Sequence, residues 1–375
     1  MSSATSLQNL KPNIGLYTTP SPDNKIYTAP CAPAITPELE IPAGHVLIHI
    51  RSTGICGSDI HFWKHGCIGP TMKVTENHIL GHESAGEVIA VSPLGGTDLK
   101  VGDKVAVEPT IPCGACDKCW GGRYNLCPNV RFRSTPPVAG LLRRYLVHPA
   151  ERCFKLPDNL SYEDGALLEP ISVAVTAVKR AGVKLGSRTL ICGAGPIGLI
   201  TLLCARAGGA DTVVITDVDQ SRLELAKKLV AGKPGRVETV LIAQGETTEQ
   251  VVENILKAGG GEPEIVLECT GVESSIRAGI LAVETGGTVF IVGVGKEEQN
   301  FPFMLLSAKE IDVKFQYRYA NTWPVAIRLM ETGVLGDDVR SLVTHRFELE
   351  NAVGAFEKVA DRNSGAVKVM IQDLN

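Results

Sequence analysis

The sequence predicts an α/β protein in which a β-rich part precedes a doubly wound parallel sheet. Two observations predict this class. Before about Pro157 the apolar runs are short and lie between loops rich in glycine, proline and cysteine. From Leu190 onward apolar runs alternate with helical stretches, as a parallel sheet covered by helices on both faces requires. With 375 residues, the chain is long enough for two to three domains.

The elements follow in the order that this class requires. The first part has predicted strands at 45–51, 86–91 and 104–107, and its composition changes at 157–164, where the first boundary is placed. The second part has a predicted helix at 221–230 and five short apolar strands, at 190–192, 213–216, 239–242, 265–268 and 289–292. The tail adds two strands and two helices, at 313–317, 366–371, 323–331 and 350–360. Periodicity does not predict how the strands of the tail pair.

Charge and composition exclude several classes of partner. Lys and Arg total 37 against 41 Asp and Glu, a net charge of −4 without basic clusters, so neither nucleic acid nor an anionic membrane is an expected partner. The first residues lack a signal-peptide pattern, and glycines interrupt the longest apolar run. The eleven cysteines are an odd number, and four are clustered, which favours thiols and metal in a reducing compartment. We therefore expect a cytoplasmic protein with a small-molecule partner.

A glycine-rich turn after the strand at 190–192 predicts a nucleotide site. The turn has the GxGxxG spacing, which in a glycine-rich chain is a weak signal alone, but a strand precedes it and a helix follows. The first glycine permits the tight turn, the second lets the backbone approach a pyrophosphate, and the third lets the helix pack on the strand. The predicted nucleotide contacts in this turn are Gly193, Gly195, Pro196, Ile197 and Gly198.

The residue after the next strand predicts which dinucleotide binds. Asp217 stands at the end of that strand, where a carboxylate accepts hydrogen bonds from an adenosine ribose and repels a 2′-phosphate. Val218 is its neighbour at the same site. Arg222 is the counter-argument, because a nearby cation tolerates a phosphate. The sequence favours NAD over NADP and leaves NADP open.

Four cysteines form a compact set. Cys113, Cys116, Cys119 and Cys127 are separated by three, three and eight positions. Four thiolates satisfy a tetrahedral structural zinc and leave no position for substrate. The alternative is an iron–sulfur cluster, but ferredoxin-type sets place the fourth cysteine closer and share it with a second set that this chain lacks. We expect one structural zinc, which stabilises its loop.

Three separate stretches offer ligands for a second metal. Cys56 lies in GICGSD, His82 and Glu83 lie in GHESAG, and Glu169 precedes Pro170 near a predicted helix start. Mixed sulfur, nitrogen and oxygen ligands with room for water are typical of catalytic zinc. Each residue also has an ordinary interpretation, as a buried thiol, a core histidine, a surface acid or a helix-entry carboxylate. Spacing alone leaves that choice open.

Four motifs in order decide the interpretation. CGSDxH, GHExxG, the four-cysteine set and GxGxxG occur as in the zinc-containing medium-chain dehydrogenases, and the chain resembles that family over nearly its whole length. The resemblance implies a GroES-like catalytic domain at 1–165 with both zinc sites, a Rossmann NAD-binding domain at 166–305 and a return to the catalytic domain at 306–375. It implies one catalytic and one structural Zn²⁺ per chain. Cys56, His82 and Glu83 then bind the catalytic zinc, with Glu169 beside it, directly or through water.

Further motifs resemble the polyol branch of that family. RYN at 123–125, LEP at 168–170 and NTWP at 321–324 are similar to sorbitol dehydrogenases, while FWKHGCIGP at 62–70 and GLLRRY at 140–145 resemble fungal L-arabinitol 4-dehydrogenases. The implied reaction is NAD-dependent oxidation of a secondary alcohol of a sugar alcohol to a ketose. The first choice of substrate is L-arabinitol, which gives L-xylulose, and the alternatives are sorbitol and xylitol. The resemblance also implies a homotetramer.

The same resemblance assigns roles to individual residues. Ser58 and His61 match proton-relay positions, and Glu169 is counted among the catalytic residues. The implied contacts at the nicotinamide end are Val292, Val294 and Gln316, and Arg318 is a further implied cofactor contact. The implied polyol contacts are Met72, Phe132, Tyr317, Arg318 and Tyr319. One extra residue between Pro70 and His82 leaves open whether Thr71 or Met72 occupies the wall of the substrate site.

Two other functional classes remain at this stage. A zinc-binding adaptor or nucleic-acid module would use the four-cysteine set alone, but the acidic charge and the nucleotide motif argue against it. A zinc-free reductase would leave Cys56, His82 and Glu83 idle. Metal content distinguishes that reductase from the zinc enzyme, since it would hold one zinc per chain instead of two.

Overall fold

A computed structural model describes residues 10–36, 38–361 and 363–374. The chain forms two compact units. The first comprises residues Met1–Glu169 and Arg340–Asn375, and the second comprises Pro170–Val339. Within the described residues, no helix is both long enough and apolar enough to span a bilayer.

The first unit is built on β-strands. Its elements before the boundary are β1 (Ile14–Thr18), β2 (Ile26–Pro30), β3 (His45–Gly54), α1 (Gly57–His65), β4 (Cys67–Ile68), β5 (Met72–Lys73), β6 (His78–Ile79), β7 (Glu83–Val91), β8 (Lys104–Val107), β9 (Thr110–Ile111), α2 (Asp117–Trp120), β10 (Arg131–Phe132), β11 (Tyr145–Pro149), β12 (Cys153–Lys155) and the start of α3 (Tyr162–Ala181). After the second unit the chain adds β19 (Val343–Glu348), α11 (Ala352–Ala360) and β20 (Lys368–Gln372).

A seven-stranded sheet organises this unit. Its order is β12-β8-β7-β3-β20-β19, with β11 also pairing with β3. β3 lies between β7 and β20, both antiparallel to it, so that Gly54 at its end is opposite Glu83 on one side and Met370 on the other. Apolar side chains of β3, β7 and β8 form a buried cluster on the sheet. The carboxyl end of β3 therefore brings together segments that are far apart in sequence.

The second unit has alternating strands and helices. Its elements are β13 (Arg188–Cys192), α4 (Pro196–Ala207), β14 (Thr212–Asp217), α5 (Gln220–Val230), β15 (Arg236–Leu241), α6 (Thr248–Gly259), β16 (Ile265–Glu268), α7 (Glu273–Ala282), β17 (Thr288–Ile291), α8 (Phe303–Ala308), β18 (Asp312–Phe315), α9 (Trp323–Glu331) and α10 (Gly336–Arg340). The six strands are parallel, in the order β15-β14-β13-β16-β17-β18. This is the order of a Rossmann sheet, which confirms the predicted doubly wound fold.

The structure divides the chain differently from the predicted domain limits. The first boundary falls between Glu169 and Pro170, close to the predicted 165, but the second falls after Val339 rather than near 305. The reason is β18, which pairs in parallel with β17 as the sixth strand of the Rossmann sheet. Only β19 and β20 return to the first sheet, where β20 pairs with β3. The predicted strand at 313–317 is present as β18, but periodicity did not predict that it pairs with β17.

Candidate active site

The predicted ligands Cys56, His82 and Glu83 meet in the first unit. Cys56 precedes α1, His82 precedes β7, and Glu83 is the first residue of β7. One ligand atom from each of the three lies within 4.8 Å of the others. His82 and Glu83 are buried and Cys56 is half-buried. The two stretches thus place a thiol, an imidazole and a carboxylate around one point, which fits a catalytic zinc.

Asp59, which was not among the predicted site residues, orients the group of metal ligands. Its buried carboxylate accepts a hydrogen bond from the Cys56 backbone N–H at 3.1 Å and another from the Gly81 backbone N–H at 3.0 Å. It also lies 3.3 Å from Nδ1 of His82. Asp59 therefore ties both ligand stretches together and leaves Nε2 of His82 for a metal.

The electrostatics of the group favour a cation. Burial lowers the pKa of His82, but the charges of Asp59 and Cys56 outweigh it, and the pKa is raised well above its usual value. Burial likewise lowers the pKa of Lys368, and Glu83 and Cys56 outweigh it, so that this pKa is raised too. Both groups report a locally negative potential. Divalent zinc is the ion that these donors and this potential fit.

Three further predicted catalytic residues lie in the first unit. Glu169 is buried in α3 and is not part of the group of ligand atoms within 4.8 Å, but its charge raises the pKa of Lys368. The Ser58 hydroxyl lies 3.5 Å from Nε2 of His82. His61 is exposed on α1, with its ring centroid 5.0 Å from that of His65. Partial burial and the charge of His65 lower the pKa of His61.

The four predicted structural cysteines also meet. The sulfur atoms of Cys113, Cys116, Cys119 and Cys127 all lie within 4.8 Å of one another. Hydrogen bonds, first from the Ala115 backbone and then from Cys127, lower the pKa of Cys113 to about 6. Burial, and next the hydrogen bond with Cys116, raise the pKa of Cys119 to about 11, so the thiols share their protons and Cys113 is the first to become a thiolate. The set fits a tetrahedral zinc with no open position.

The glycine-rich turn has the shape of a phosphate cradle. Gly193 has φ of 96°, a conformation that disfavours other residues. A Cβ at Gly198 would lie 1.8 Å from the Gly193 carbonyl oxygen, whereas nothing lies within 4 Å of the place that a Cβ would take at Gly195. Pro196 and Ile197 form the first turn of α4. The open space above Gly195, at the start of a helix, fits a pyrophosphate.

Asp217 is fixed beside this cradle at the end of β14. Its carboxylate accepts hydrogen bonds from the backbone N–H groups of Ala194 at 2.6 Å and Asp219 at 2.9 Å. Arg222 lies 4.0 Å from the same carboxylate and 3.8 Å from that of Asp219. Arg222 is therefore held near two acids, which opposes a 2′-phosphate. Val218 is exposed next to Asp217.

The predicted nicotinamide contacts lie in the second unit. Val292 follows β17 and Val294 is exposed. The Gln316 side chain donates to the Val173 carbonyl at 2.9 Å. Arg318 has φ of 57° and places its guanidinium carbon 4.5 Å from the ring centroid of Tyr317. These positions follow the carboxyl ends of β17 and β18, the edge at which such sheets bind ligands.

The predicted polyol contacts divide between the units. Phe132 is buried with its ring centroid 5.8 Å from that of His82, next to the metal ligands. Met72 lies in the short hairpin of β4 and β5 and packs against the buried cluster around Phe62 and Trp63. Tyr317 and Tyr319 lie in the second unit, the former exposed and the latter fully buried. Tyr319 packs edge to face on Trp323.

Two more buried charged residues were missed by sequence reasoning. The Glu268 carboxylate at the end of β16 accepts hydrogen bonds from the Thr270 and Gly271 backbones and the Ser275 hydroxyl, which holds this loop beside Gly193. Lys368 of β20 forms a buried ion pair with Glu83. A signal existed for Glu268, a carboxylate ending an apolar strand. Lys368 is a single lysine in the last strand, and no local pattern in the sequence marks it as part of a site.

Comparison with known proteins extends these observations. The family model of the alcohol dehydrogenase GroES-like domain matches residues 42–158, and that of the zinc-binding dehydrogenases matches residues 196–332. An L-arabinitol 4-dehydrogenase of Hypocrea jecorina is 55% identical over 369 residues, covering 98% of this chain and 96% of that protein. A sorbitol dehydrogenase of Rattus norvegicus is 45% identical over 333 residues, covering 89% and 90%. The crystal structure of L-idonate 5-dehydrogenase from Escherichia coli is similar with a TM-score of 0.83 at 25% identity, covering 97% and 99%.

Proposed function

This chain belongs to the zinc-containing medium-chain dehydrogenases and to their polyol branch, and from that premise we propose that it oxidises L-arabinitol to L-xylulose with NAD. The first unit is then the GroES-like catalytic domain and the second the NAD-binding domain. The observation that carries the proposal is the close group of Cys56, His82 and Glu83, oriented by Asp59. The 53–55% identity to L-arabinitol 4-dehydrogenases, over 96–98% of this chain, supports the choice of substrate.

The residues of the chain divide the work of the reaction. Zinc, when bound, supplies a Lewis acid that lowers the pKa of a substrate hydroxyl, and NAD supplies the hydride acceptor. Cys56, His82 and Glu83 are assigned to binding the metal, and Glu169 is assigned a place beside it, directly or through water. Asp59 fixes the His82 ring. Phe132, which lies beside His82, is assigned to holding the polyol near the metal, with Met72 as a further wall residue. Tyr317, Arg318 and Tyr319 stay polyol contacts that the family resemblance implies.

Ser58 and His61 are proposed to move the hydroxyl proton to solvent. Ser58 lies next to the His82 imidazole, and His61 is one helical turn further along the exposed face of α1. Because the pKa of His61 is lowered, its ring is neutral at neutral pH and can accept a proton.

We expect Ser58→Ala to lower kcat at pH 7 by about 10²-fold or more, the usual contribution of a positioned proton-transfer group. The zinc content is expected to remain at two per chain, because Ser58 is not a ligand. Steady-state kinetics and metal analysis of the same preparation measure both quantities. Unchanged turnover would remove Ser58 from the relay.

Substrate and cofactor are tested together by comparing kcat/KM. The panel contains L-arabinitol, xylitol, D-sorbitol and galactitol, each with NAD and with NADP. We expect L-arabinitol with NAD to give the highest value, because Asp217 is held beside the cradle and Arg222 is held near acids. D-Sorbitol is the second candidate, since sorbitol dehydrogenases share 45% identity. A sorbitol value above that of L-arabinitol would assign the chain to sorbitol oxidation.

We propose assembly into a homotetramer, with one interface at β18. This strand is an edge of the parallel sheet, and Phe315 is 59% exposed, Phe303 75% and Met304 71%. An exposed sheet edge with apolar neighbours is a typical association surface. Light scattering is expected to give four chains, and Phe303→Glu to give a smaller species; a parental monomer would contradict the proposal.

A cytoplasmic location remains part of the proposal. All eleven cysteines, each within the described residues, are free thiols. Free thiols and two thiolate-containing metal sites suit a reducing compartment. Cell fractionation with antibody detection measures the location directly, and recovery with secreted protein would contradict it.

A further inference from the structure

We propose that Lys368 is a positioning residue of the metal site: its ammonium group binds one oxygen of Glu83 and so leaves a single carboxylate oxygen for the metal. The consequence is a free coordination position for the polyol. This inference rests on the proposed function and deepens it, because it concerns the same metal site.

The contacts of Lys368 show that it is built into the site. Its Nζ forms an ion pair with Oε2 of Glu83 and donates a hydrogen bond to the Ile55 carbonyl at 3.1 Å. The residue is only 3% exposed. Ile55 immediately precedes the ligand Cys56, so the ammonium group contacts both stretches that supply ligands. A buried lysine is rare unless it is paired, and here its partner is a candidate metal ligand.

The path of the strands explains how the two groups meet. β3 lies between β7, which carries Glu83, and β20, which carries Lys368. The residue of β3 at the crossing is Gly54. A Cβ there would lie 2.2 Å from Oε2 of Glu83 and 3.0 Å from Cε of Lys368. The absence of a side chain at Gly54 therefore lets the ion pair form across β3.

The chemical consequence follows from the two oxygens of a carboxylate. A catalytic zinc keeps three protein ligands and one open position. If both oxygens of Glu83 bound the metal, the second would compete for that position. Because Oε2 is held by Lys368, Oε1 is the oxygen that remains, and Glu83 contributes one bond. The ammonium charge also offsets the acidic groups Cys56, Glu83 and Glu169, whose charges all act on it.

A purely structural role makes a different prediction. If Lys368 only neutralised a buried carboxylate, its loss would weaken folding or metal retention without changing the coordination of the metal that remains. The absorption spectrum of protein with cobalt(II) in the catalytic site distinguishes the two roles. The d–d bands of cobalt(II) weaken when its coordination number rises above four, so only the positioning role predicts weaker bands in the variant.

The experiment compares Lys368→Met, Lys368→Arg and Gly54→Ala with the parent. Lys309→Met is the matched control, because Lys309 also pairs with a glutamate and donates to a carbonyl, Glu262 and Val283, in the other unit. For Lys368→Met we expect two zinc ions per chain, kcat lowered about 10- to 100-fold, and weakened cobalt bands. Lys368→Arg retains the positive charge and the hydrogen-bond donors, and it is expected to keep kcat and the cobalt bands near those of the parent. Gly54→Ala is expected to weaken the cobalt bands with Lys368 in place, because its Cβ displaces Oε2.

Each outcome supports or overturns the inference. A parental cobalt spectrum and kcat in Lys368→Met would overturn it, as would loss of the catalytic zinc from a folded variant. Should Lys368→Met fail to fold, Gly54→Ala decides, and a parental spectrum there overturns the inference. The parent is measured first: absence of two zinc ions or of polyol oxidation would mean that the proposed function has failed, whereas unchanged variants of an active parent refute only the role of Lys368.

Discussion

The Cys56→Ser variant is expected to lose one of two zinc ions and nearly all turnover. Cys56 supplies the thiolate of the group within 4.8 Å, and a serine hydroxyl is a far weaker zinc ligand. If zinc lowers the pKa of a bound hydroxyl from about 16 to about 7, it supplies about 12 kcal/mol of oxyanion stabilisation. Losing about a third of that contribution, about 4 kcal/mol, is enough to lower kcat by about 10³-fold.

Metal analysis by mass spectrometry and kinetics on the same sample check this result. The matched control is Cys67→Ser, a half-buried thiol in β4 that belongs to neither group of metal-binding residues. The control is expected to keep both zinc ions and the parental kcat. A Cys56→Ser protein that holds one zinc and still oxidises the polyol at the parental rate would show that the metal is not catalytic, as the reductase hypothesis requires.

Local signals in the sequence predicted much of the fold. The strand at 265–268 and the helix at 323–331 were predicted with the bounds that the structure has, because each is one apolar run with clear ends. The GxGxxG turn was predicted for the same reason: its function depends on residues within one strand, turn and helix. Local patterns are sufficient wherever the structural cause is local.

Pairing between distant segments was not predicted. The strand at 312–315 has two half-buried residues between exposed ends, a pattern that fits an edge strand of either sheet. Its place beside β17 decides the domain boundary, and no periodicity encodes that choice. Lys368 was missed for a related reason, since only the arrangement of β7, β3 and β20 brings it to Glu83.

The metal sites show the same division. The four cysteines lie within fifteen positions, so their spacing alone indicated a shared metal. Cys56 and the His82–Glu83 pair were predicted through resemblance to a family, because neither stretch identifies its partner. Asp59 was within the CGSD motif, yet its role depends on the Gly81 backbone and His82, which only the folded chain places beside it.

Replacing Cys116 by serine is expected to separate stability from catalysis. The variant is expected to lose the other zinc ion, since its sulfur is one of four within 4.8 Å. Loss of a structural metal costs on the order of 3 kcal/mol or more, and such a loss lowers Tm by about 6–12 °C in a domain of 150–250 residues. The kcat of the folded protein is expected to stay within about threefold of the parent, because the four-cysteine set leaves no position for substrate.

Thermal unfolding, zinc content and kcat below the transition measure this separation. Asp117→Asn is the matched control, because Asp117 is an exposed residue at the start of α2 and is not part of the four-cysteine set. Its Tm and zinc content are expected to equal those of the parent. A Cys116→Ser protein with parental Tm would show that the metal contributes nothing to folding, and a kcat reduced as far as in Cys56→Ser would place the four-cysteine set in the reaction. Because each cysteine variant removes a different ion, one lowering kcat and the other Tm, the pair together tests whether the chain divides its two metals between chemistry and structure.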